Sequence, residues 1–293
     1  MAKISLFLMT KKGYAVLERL LESGFQSLID TIVIGQDSST QNDYSQSLID
    51  LCQEADLQWH YRKDIPPVTS EYAIAISWRW MIREIDSKLI VLHDSLLPKY
   101  RGFAPLVNQL INGEKEIGVT ALYASEEYDR GPVIGQKSTT VNYPLKINEA
   151  IDKVSILYAD LVATIFESIK TGHPLQENIQ DESQASYSLW RDQEDYRIAW
   201  TQDAETILRH INAVGFPYLG ASAIMGKTMI RITDAEVYPD VKVEIRQPGK
   251  VIFMKDERPV IVCGNGLIRI INANFEADGT SIFPLKKFRI RFS

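Results

Sequence analysis

Leu89-Ile90-Val91-Leu92-His93-Asp94-Ser95-Leu96-Leu97-Pro98-Lys99-Tyr100-Arg101-Gly102 opens on four apolar residues and runs into Pro, Tyr, Arg and Gly. A short apolar run closed by turn residues is the pattern of a buried strand. It belongs to a series. Lys3 to Met9, Thr31 to Ile34 and Tyr72 to Ser77 carry the same texture, and Leu57 to Tyr61 is a shorter member. Between the strands, Tyr14 to Gly24 sets Val16, Leu17, Leu20 and Leu21 at helical spacing, and Gln46 to Ala55 forms a second helix. Strands that alternate with helices imply βαβ units and a mostly parallel sheet. Further strands are expected at Val119 to Ala124 and Val133 to Val141, then a long helix from Asn148 to about Lys170 that Gly172-His173-Pro174 ends.

The 293 residues allow about two domains. Asn178 to Ser186 is polar and unpatterned, as a linker would be. Beyond Thr201 one helix, Ala204 to Val214, precedes short alternating runs with turns at Pro239-Asp240, Pro248-Gly249, Gly264-Asn265-Gly266 and Asp278-Gly279. Those closely spaced strands predict a small antiparallel β barrel or sandwich.

Composition narrows the function classes. With 45 % hydrophobic and 24 % charged residues, neither disorder nor a fibrous repeat is expected. No apolar run reaches the roughly 18 residues of a membrane span, and Ile4 to Met9 is too short for a signal segment, so a cytoplasmic protein is expected. Cys52 and Cys263 match no CxxC spacing and read as buried apolar residues. The net charge of −6 divides unevenly: 13 Lys and Arg against 10 Asp and Glu from Thr201 onward leave the first 200 residues at −9. Such an acidic body favours a small substrate over nucleic acid. The first strand is followed by Met9-Thr10-Lys11-Lys12-Gly13 rather than G-x-G-x-x-G, and P-loop, H-E-x-x-H and G-x-S-x-G motifs are absent. His60, His173 and His210 stand in unremarkable contexts, and no ligand cluster suggests a metal.

His93 stands at the C-terminal end of a strand, where functional groups gather in open α/β sheets. Asp129, in Tyr128-Asp129-Arg130-Gly131, also follows a strand. A carboxylate facing that histidine would orient the ring and raise its basicity.

The decapeptide His93 to Gly102, with Gly118-Val119-Thr120 and Asp129-Arg130-Gly131 downstream, resembles the core signature of the 10-formyltetrahydrofolate-dependent formyltransferases. Ile211 to Ala221 is similar to the segment that opens their C-terminal OB-like domain, and Tyr187 to Trp200 to the one that leaves the catalytic domain. The resemblance implies a Rossmann-like catalytic domain over residues 1–186, a linker over 187–202 and an OB-like β barrel over 203–293. It implies transfer of a formyl group from 10-formyltetrahydrofolate to a primary amine. His93 and Asp129 match the catalytic pair and Ser95 the supporting serine. Trp80, Met81, Ile82, Ala124 and Glu127 match the pterin slot.

One position departs. The family carries asparagine two residues before the histidine, as an oxyanion donor, where this chain has Val91. Valine donates no hydrogen bond, and losing one such donor costs about 10²–10³ in rate. A non-catalytic ligand-binding relative is therefore the alternative. The acceptor reads as a small amine, foremost a nucleotide-linked amino sugar, with Arg101, Trp190 and Arg191 expected to face it. A hydroxyornithine-type amine is a second class. Initiator tRNA is disfavoured because Gly35 to Trp59 has no Lys or Arg and carries Asp37, Asp43, Asp50, Glu54 and Asp56. Lys287, Arg289 and Arg291, alternating with Phe288, Ile290 and Phe292, read as a strand with one solvated face. Oligomeric state is left open.

Overall fold

A computed structural model describes residues 2–38, 40–82, 85–285 and 287–293. Its first five strands, β1 (Ile4–Leu8), β2 (Ile29–Ile34), β3 (Trp59–Tyr61), β4 (Tyr72–Ile76) and β5 (Lys88–His93), all run parallel. Helices α1 (Thr10–Glu22) and α2 (Ser45–Glu54) supply the first two crossovers. The chain builds outward from β1 on one side through β2 and β3, then returns to build the other side through β4 and β5. The order thus reverses beside β1, at the kind of switch point where α/β sheets bind ligands.

Period-two alternation sorts each strand between two cores. Leu6, Leu8, Ile32, Ile34, Ile74, Ile76, Ile90 and Leu92 share one cluster with Val16 and Leu20 of α1, Leu48 and Cys52 of α2, and Tyr158, Val162 and Phe166 of α4 (Ile147–Thr171). Phe7, Val33, Ala73 and Ala75 join Val68, Trp78, Ile82, Leu89 and Val91 on the other face. Burial pushes the Cys52 thiol up to about 12.

The sheet is completed by β7 (Glu116–Tyr123) and β8 (Val133–Thr140), giving the order β3-β2-β1-β4-β5-β7-β8. Both added strands are antiparallel to their neighbours, with His93 opposite Thr120. Two short pieces, β6 (Arg101–Gly102) and β9 (Tyr187–Ser188), pair in parallel. The polar stretch before β9 is therefore not a free linker. Asn178 pairs with Val133, and Ser186 exchanges backbone bonds with Pro98 and Arg101. Helix α3 (Pro105–Asn112) is an element the sequence reading lacks.

Contacts divide the chain into two units. The first holds residues 1–106, 116–141 and 149–189; the second holds 107–115, 142–148 and 190–293. The segment 187–202 is thus split: its first three residues belong with the parallel sheet and the rest with the second unit.

In the second unit, Asp203 caps α5 (Ala204–Ala213) by accepting the Thr206 N–H at 2.8 Å. The five strands β10 (Ala221–Met225), β11 (Thr228–Tyr238), β12 (Val251–Lys255), β13 (Arg258–Val262) and β14 (Leu267–Phe275) form an antiparallel sheet ordered β10-β11-β14-β13-β12. An open sheet of this kind would leave two edges of unpaired backbone. Residues 290–293 pair with both: Ser293 exchanges bonds with Ile224 beyond one edge, while Phe292 and Ile290 bond Gly249 and Val251 at the other. That stitching makes the unit barrel-like. Only this end of the alternating 287–292 run is ladder-bonded, and Phe292 is 1 % exposed and packs 5.9 Å from the Trp200 ring. Cys263 is buried here, its thiol also pushed up to about 12. No helix among the described residues is long and apolar enough to cross a membrane.

Phe292→Ala removes a fully buried ring and loosens the closing strand. It is expected to cost about 3–5 kcal/mol, read as a lowered denaturant midpoint for the second unit by Trp200 fluorescence.

Candidate active site

Strand β5 delivers His93 to the C-terminal edge of the sheet, and residues 94–100 turn there instead of starting a helix. Thr120, opposite His93 on β7, fastens this loop. Its hydroxyl donates to the Ser95 carbonyl at 2.6 Å and accepts from the Leu97 N–H at 3.0 Å. Gln136 of β8 donates to the Leu97 carbonyl at 2.8 Å. Residue 118 must be glycine for the loop to lie this close, since a Cβ there would stand 2.6 Å from both the Leu96 side chain and the Lys137 carbonyl.

The loop between β7 and β8 brings Asp129 to the same place. Asp129 Oδ1 lies 3.5 Å from His93 Nδ1, and Oδ2 accepts the Gly102 N–H at 2.7 Å. The other ring nitrogen, Nε2, is 2.8 Å from the Tyr100 carbonyl oxygen. Tyr100, Ala104 and Asp129 all hold left-handed backbone, with φ of 58°, 46° and 58°. Three such non-glycine residues in two adjoining loops mark strain concentrated at one site. Gly131 permits the return turn, because a Cβ there would sit 1.8 Å from the Tyr123 carbonyl.

Beneath the histidine, Asp94 binds Lys12 of α1 and accepts the Tyr158 hydroxyl of α4. Burial by itself would raise the Asp94 carboxyl, but the Lys12 ammonium and the bonds from Lys12 and Tyr158 outweigh it and hold it below the usual carboxylate range. Burial and the Asp94 charge push the Tyr158 phenol well above its ordinary value. Two helices are thereby pinned to the residue that follows His93.

The remaining expected residues fall into different places. Ser95 is fully buried and donates its one hydroxyl hydrogen to the Lys99 carbonyl at 2.6 Å, so it braces the loop instead of facing a substrate. Arg101 is likewise corrected. At 0 % exposure its guanidinium is consumed by Gln180 and Glu182, at 2.7 to 3.1 Å, and by Tyr187 at 3.5 Å. With every N–H engaged it has nothing left for an acceptor. Its work is structural, tying segment 180–187 to the end of the loop.

Trp80 packs edge-on to Trp78 at 5.2 Å, with the Arg62 guanidinium 4.1 Å over its ring. Ile82 joins the second core, while Met81 is 59 % exposed. Ala124 gives its N–H to the Leu89 carbonyl at 2.9 Å, and Glu127 is exposed and paired with Arg130 at 2.7 Å. Trp190 and Arg191 belong to the second unit, where Trp190 is exposed and Arg191 reaches Asn108 at 3.4 Å. Val91 shares the strand face of His93 and packs with Phe7, Ala73 and Ala75. Tyr100, Gly102 and Thr120 stand in the quoted signature without an assigned role, and Lys12 and Gln180 stand outside it, since each acts through a backbone group or a partner remote in the chain.

The model of the formyl transferase family matches residues 68–157, and that of the formyl transferase C-terminal domain matches residues 191–282. The chain belongs to this family. It is 32 % identical over 212 residues to a methionyl-tRNA formyltransferase of Staphylococcus aureus, covering 68 % of this chain and 66 % of that one. Across similar curated relatives the chain spans 55 to 66 % of their length. Its fold matches an N-formyltransferase from Helicobacter canadensis solved with folinic acid and dTDP-3-aminofucose, with a TM-score of 0.69 at 16 % identity over 92 % of this chain and 99 % of that one. It also matches HypX from Aquifex aeolicus in complex with tetrahydrofolic acid, with a TM-score of 0.61 at 19 % identity over 94 % of this chain and 44 % of that one.

Asp94 is a carboxylate whose folded value is depressed, so its stabilisation is fully present above about pH 4 and is lost as pH falls through the lower folded value. Asp94→Asn leaves Lys12 buried without its counter-charge. It is expected to lower stability at pH 7 by roughly 3 kcal/mol and to flatten the acid limb of the stability curve below about pH 4, both read by urea unfolding across pH.

Proposed function

We propose that this chain transfers a formyl group from 10-formyltetrahydrofolate to the primary amine of a small acceptor, foremost an amino sugar on a nucleoside diphosphate. The observation that carries the reading is the His93–Asp129 pair, set at the C-terminal end of β5 and fixed by the Gly102 amide.

Two features at the expected pterin slot, one of them on Trp78 outside the expected set, support a flat heteroaromatic ring there. Met81 offers exposed apolar surface beside Trp80, and the buried Trp78 indole N–H has no hydrogen-bond partner among the described residues. The Ala124 amide, already bonded to Leu89, is not among the donors available. When bound, 10-formyltetrahydrofolate supplies an electrophilic formyl carbon and a leaving nitrogen.

The chain's own groups then handle protons. With the Nε2 hydrogen given to the Tyr100 carbonyl, His93 Nδ1 presents a lone pair toward Asp129. Their 3.5 Å separation is longer than a direct hydrogen bond, so two proton acceptors converge on a gap that an amine N–H can occupy. Asp129 orients the incoming amine, and Nδ1 takes its proton as nitrogen bonds to the formyl carbon. The imidazolium, stabilised by Asp129, returns that proton to the leaving nitrogen as the old carbon–nitrogen bond breaks.

The relative's name offers tRNA as a second acceptor. Five acidic residues and no Lys or Arg over 35–59 support the small molecule instead. The amino sugar bound by the Helicobacter fold neighbour supports it further.

With folinic acid binding confirmed by calorimetry, His93→Ala is expected to leave that binding intact and lower formyl transfer to an amino-sugar nucleotide by about 10²–10⁴. Val91→Asn places an amide on the same strand face and is expected to raise turnover up to about 10²-fold. Unchanged turnover in His93→Ala would remove the assigned base. Folinic acid binding without transfer in either protein would support the non-catalytic alternative.

A further inference from the structure

The bond from the Gly102 N–H to Asp129 joins two loops at a point, and the next residue outward on each is aromatic. Phe103 follows Gly102 and Tyr128 precedes Asp129, with ring centroids 6.3 Å apart and planes inclined by 54°. They are 54 % and 65 % exposed. Large aromatic side chains held in the open beside a reactive pair are poor candidates for core packing and good ones for recognition.

Their backbone is fixed although their rings are not covered. Phe103 lies between Gly102 at φ 97° and Ala104 at φ 46°, and its N–H donates to the Ser188 carbonyl at 3.0 Å. Tyr128 is anchored through Asp129. Arg130 continues the surface, donating to the Tyr187 hydroxyl at 2.8 Å and pairing with Glu127 at 2.7 Å. That exposed pair contributes little, so Arg130 can exchange Glu127 for an anionic ligand at small cost.

We propose that Phe103 and Tyr128 form a platform for the saturated sugar ring that carries the acceptor amine. The assignment rests on the formyl-transfer reading and names the part of the acceptor recognised next to Asp129. Proximity selects that part. Tyr128 adjoins the carboxylate in the chain and Phe103 adjoins the Gly102 amide that holds it, so both meet the ring bearing the amine and not a base two phosphates away. Shape favours it as well, since two rings inclined by 54° cannot both stack on one flat base, whereas the C–H face of a puckered ring packs on aromatic carbon. The exposed Glu126 and Glu127, which precede Tyr128 in the chain, can accept from sugar hydroxyls, and Arg130 can meet a phosphate. An open-chain amine such as a hydroxyornithine would cover little of this surface.

The test is calorimetric titration of the full chain with three probes: folinic acid, dTDP-3-aminofucose and dTDP. The variants are Phe103→Ala, Tyr128→Ala and Tyr128→Phe. Both rings are exposed, so truncation leaves folding intact, which unchanged folinic acid affinity reports independently. Each alanine variant is expected to weaken dTDP-3-aminofucose binding about 5- to 20-fold, with dTDP affected less than about twofold and Tyr128→Phe close to the parent. Equal weakening of dTDP and the sugar nucleotide would overturn the proposal by assigning the rings to the base. Unchanged sugar-nucleotide binding in both alanine variants would overturn it outright. Folinic acid binding without any sugar-nucleotide binding would overturn the platform and leave formyl transfer standing. Ring-dependent sugar-nucleotide binding without folinic acid binding would uphold the platform and remove the formyl donor.

Discussion

A single backbone N–H, that of Gly102, organises the site by holding the Asp129 carboxylate at 2.7 Å while leaving its other oxygen free to face His93. A carboxylate brought next to a histidine by side-chain packing alone would have several rotamers to choose from. A short bond from a rigid amide removes most of that freedom, at the cost of requiring the loop to arrive in one conformation. Much of the surrounding structure serves that requirement. Thr120 and Gln136 fasten the middle of the loop, Ser186 and Ser188 fasten its end, and Arg101 gathers Gln180, Glu182 and Tyr187 around the same point. Gln180 in turn donates to the carbonyls of Asp129 and Gly131, at 2.7 and 2.9 Å, closing the circuit.

The electrostatics separate by sheet face. His93 and Asp129 stand among polar loop groups, whereas the charges of Lys12 and Asp94 lie against α1 and α4, next to the helical core. A buried ion pair contributes little net stability but penalises any arrangement that parts its members. The residue after the histidine is therefore held in place more firmly than hydrophobic packing would hold it, and the ring inherits that registry through one peptide unit.

The parallel strands and their helices were legible because their information is local: an apolar run or a period of three to four residues is visible within ten positions. Strand direction is not local. Val119 to Ala124 and Val133 to Val141 read correctly as strands, yet nothing in their residues records that they pair antiparallel to their neighbours. The structural role of Arg101 is not legible in the sequence, because a guanidinium is ambiguous until its partners, about eighty positions away, are known. The polar run 178–186 looked like a linker because hydrogen-bonding residues that lace a loop have the composition of residues that face water. Pro105–Asn112 is not legible as a helix because eight residues hold barely two turns of periodic signal. His93 and Asp129 are visible as a spaced motif that also contains Tyr100 and Gly102, but that these two act through a carbonyl and an amide is a matter of backbone, which side-chain identity does not record.

The two cysteines give the molecule an internal pair of gauges. Cys52 sits in the helical core of one unit and Cys263 in the sheet unit, both without solvent access and both too weakly acidic to form thiolate near neutrality. A thiol in that state reacts only during the moments when its surroundings open. Each unit thus reports its own opening frequency through a single sulfur, without an introduced label, and the ratio of the two modification rates measures how far the units breathe independently.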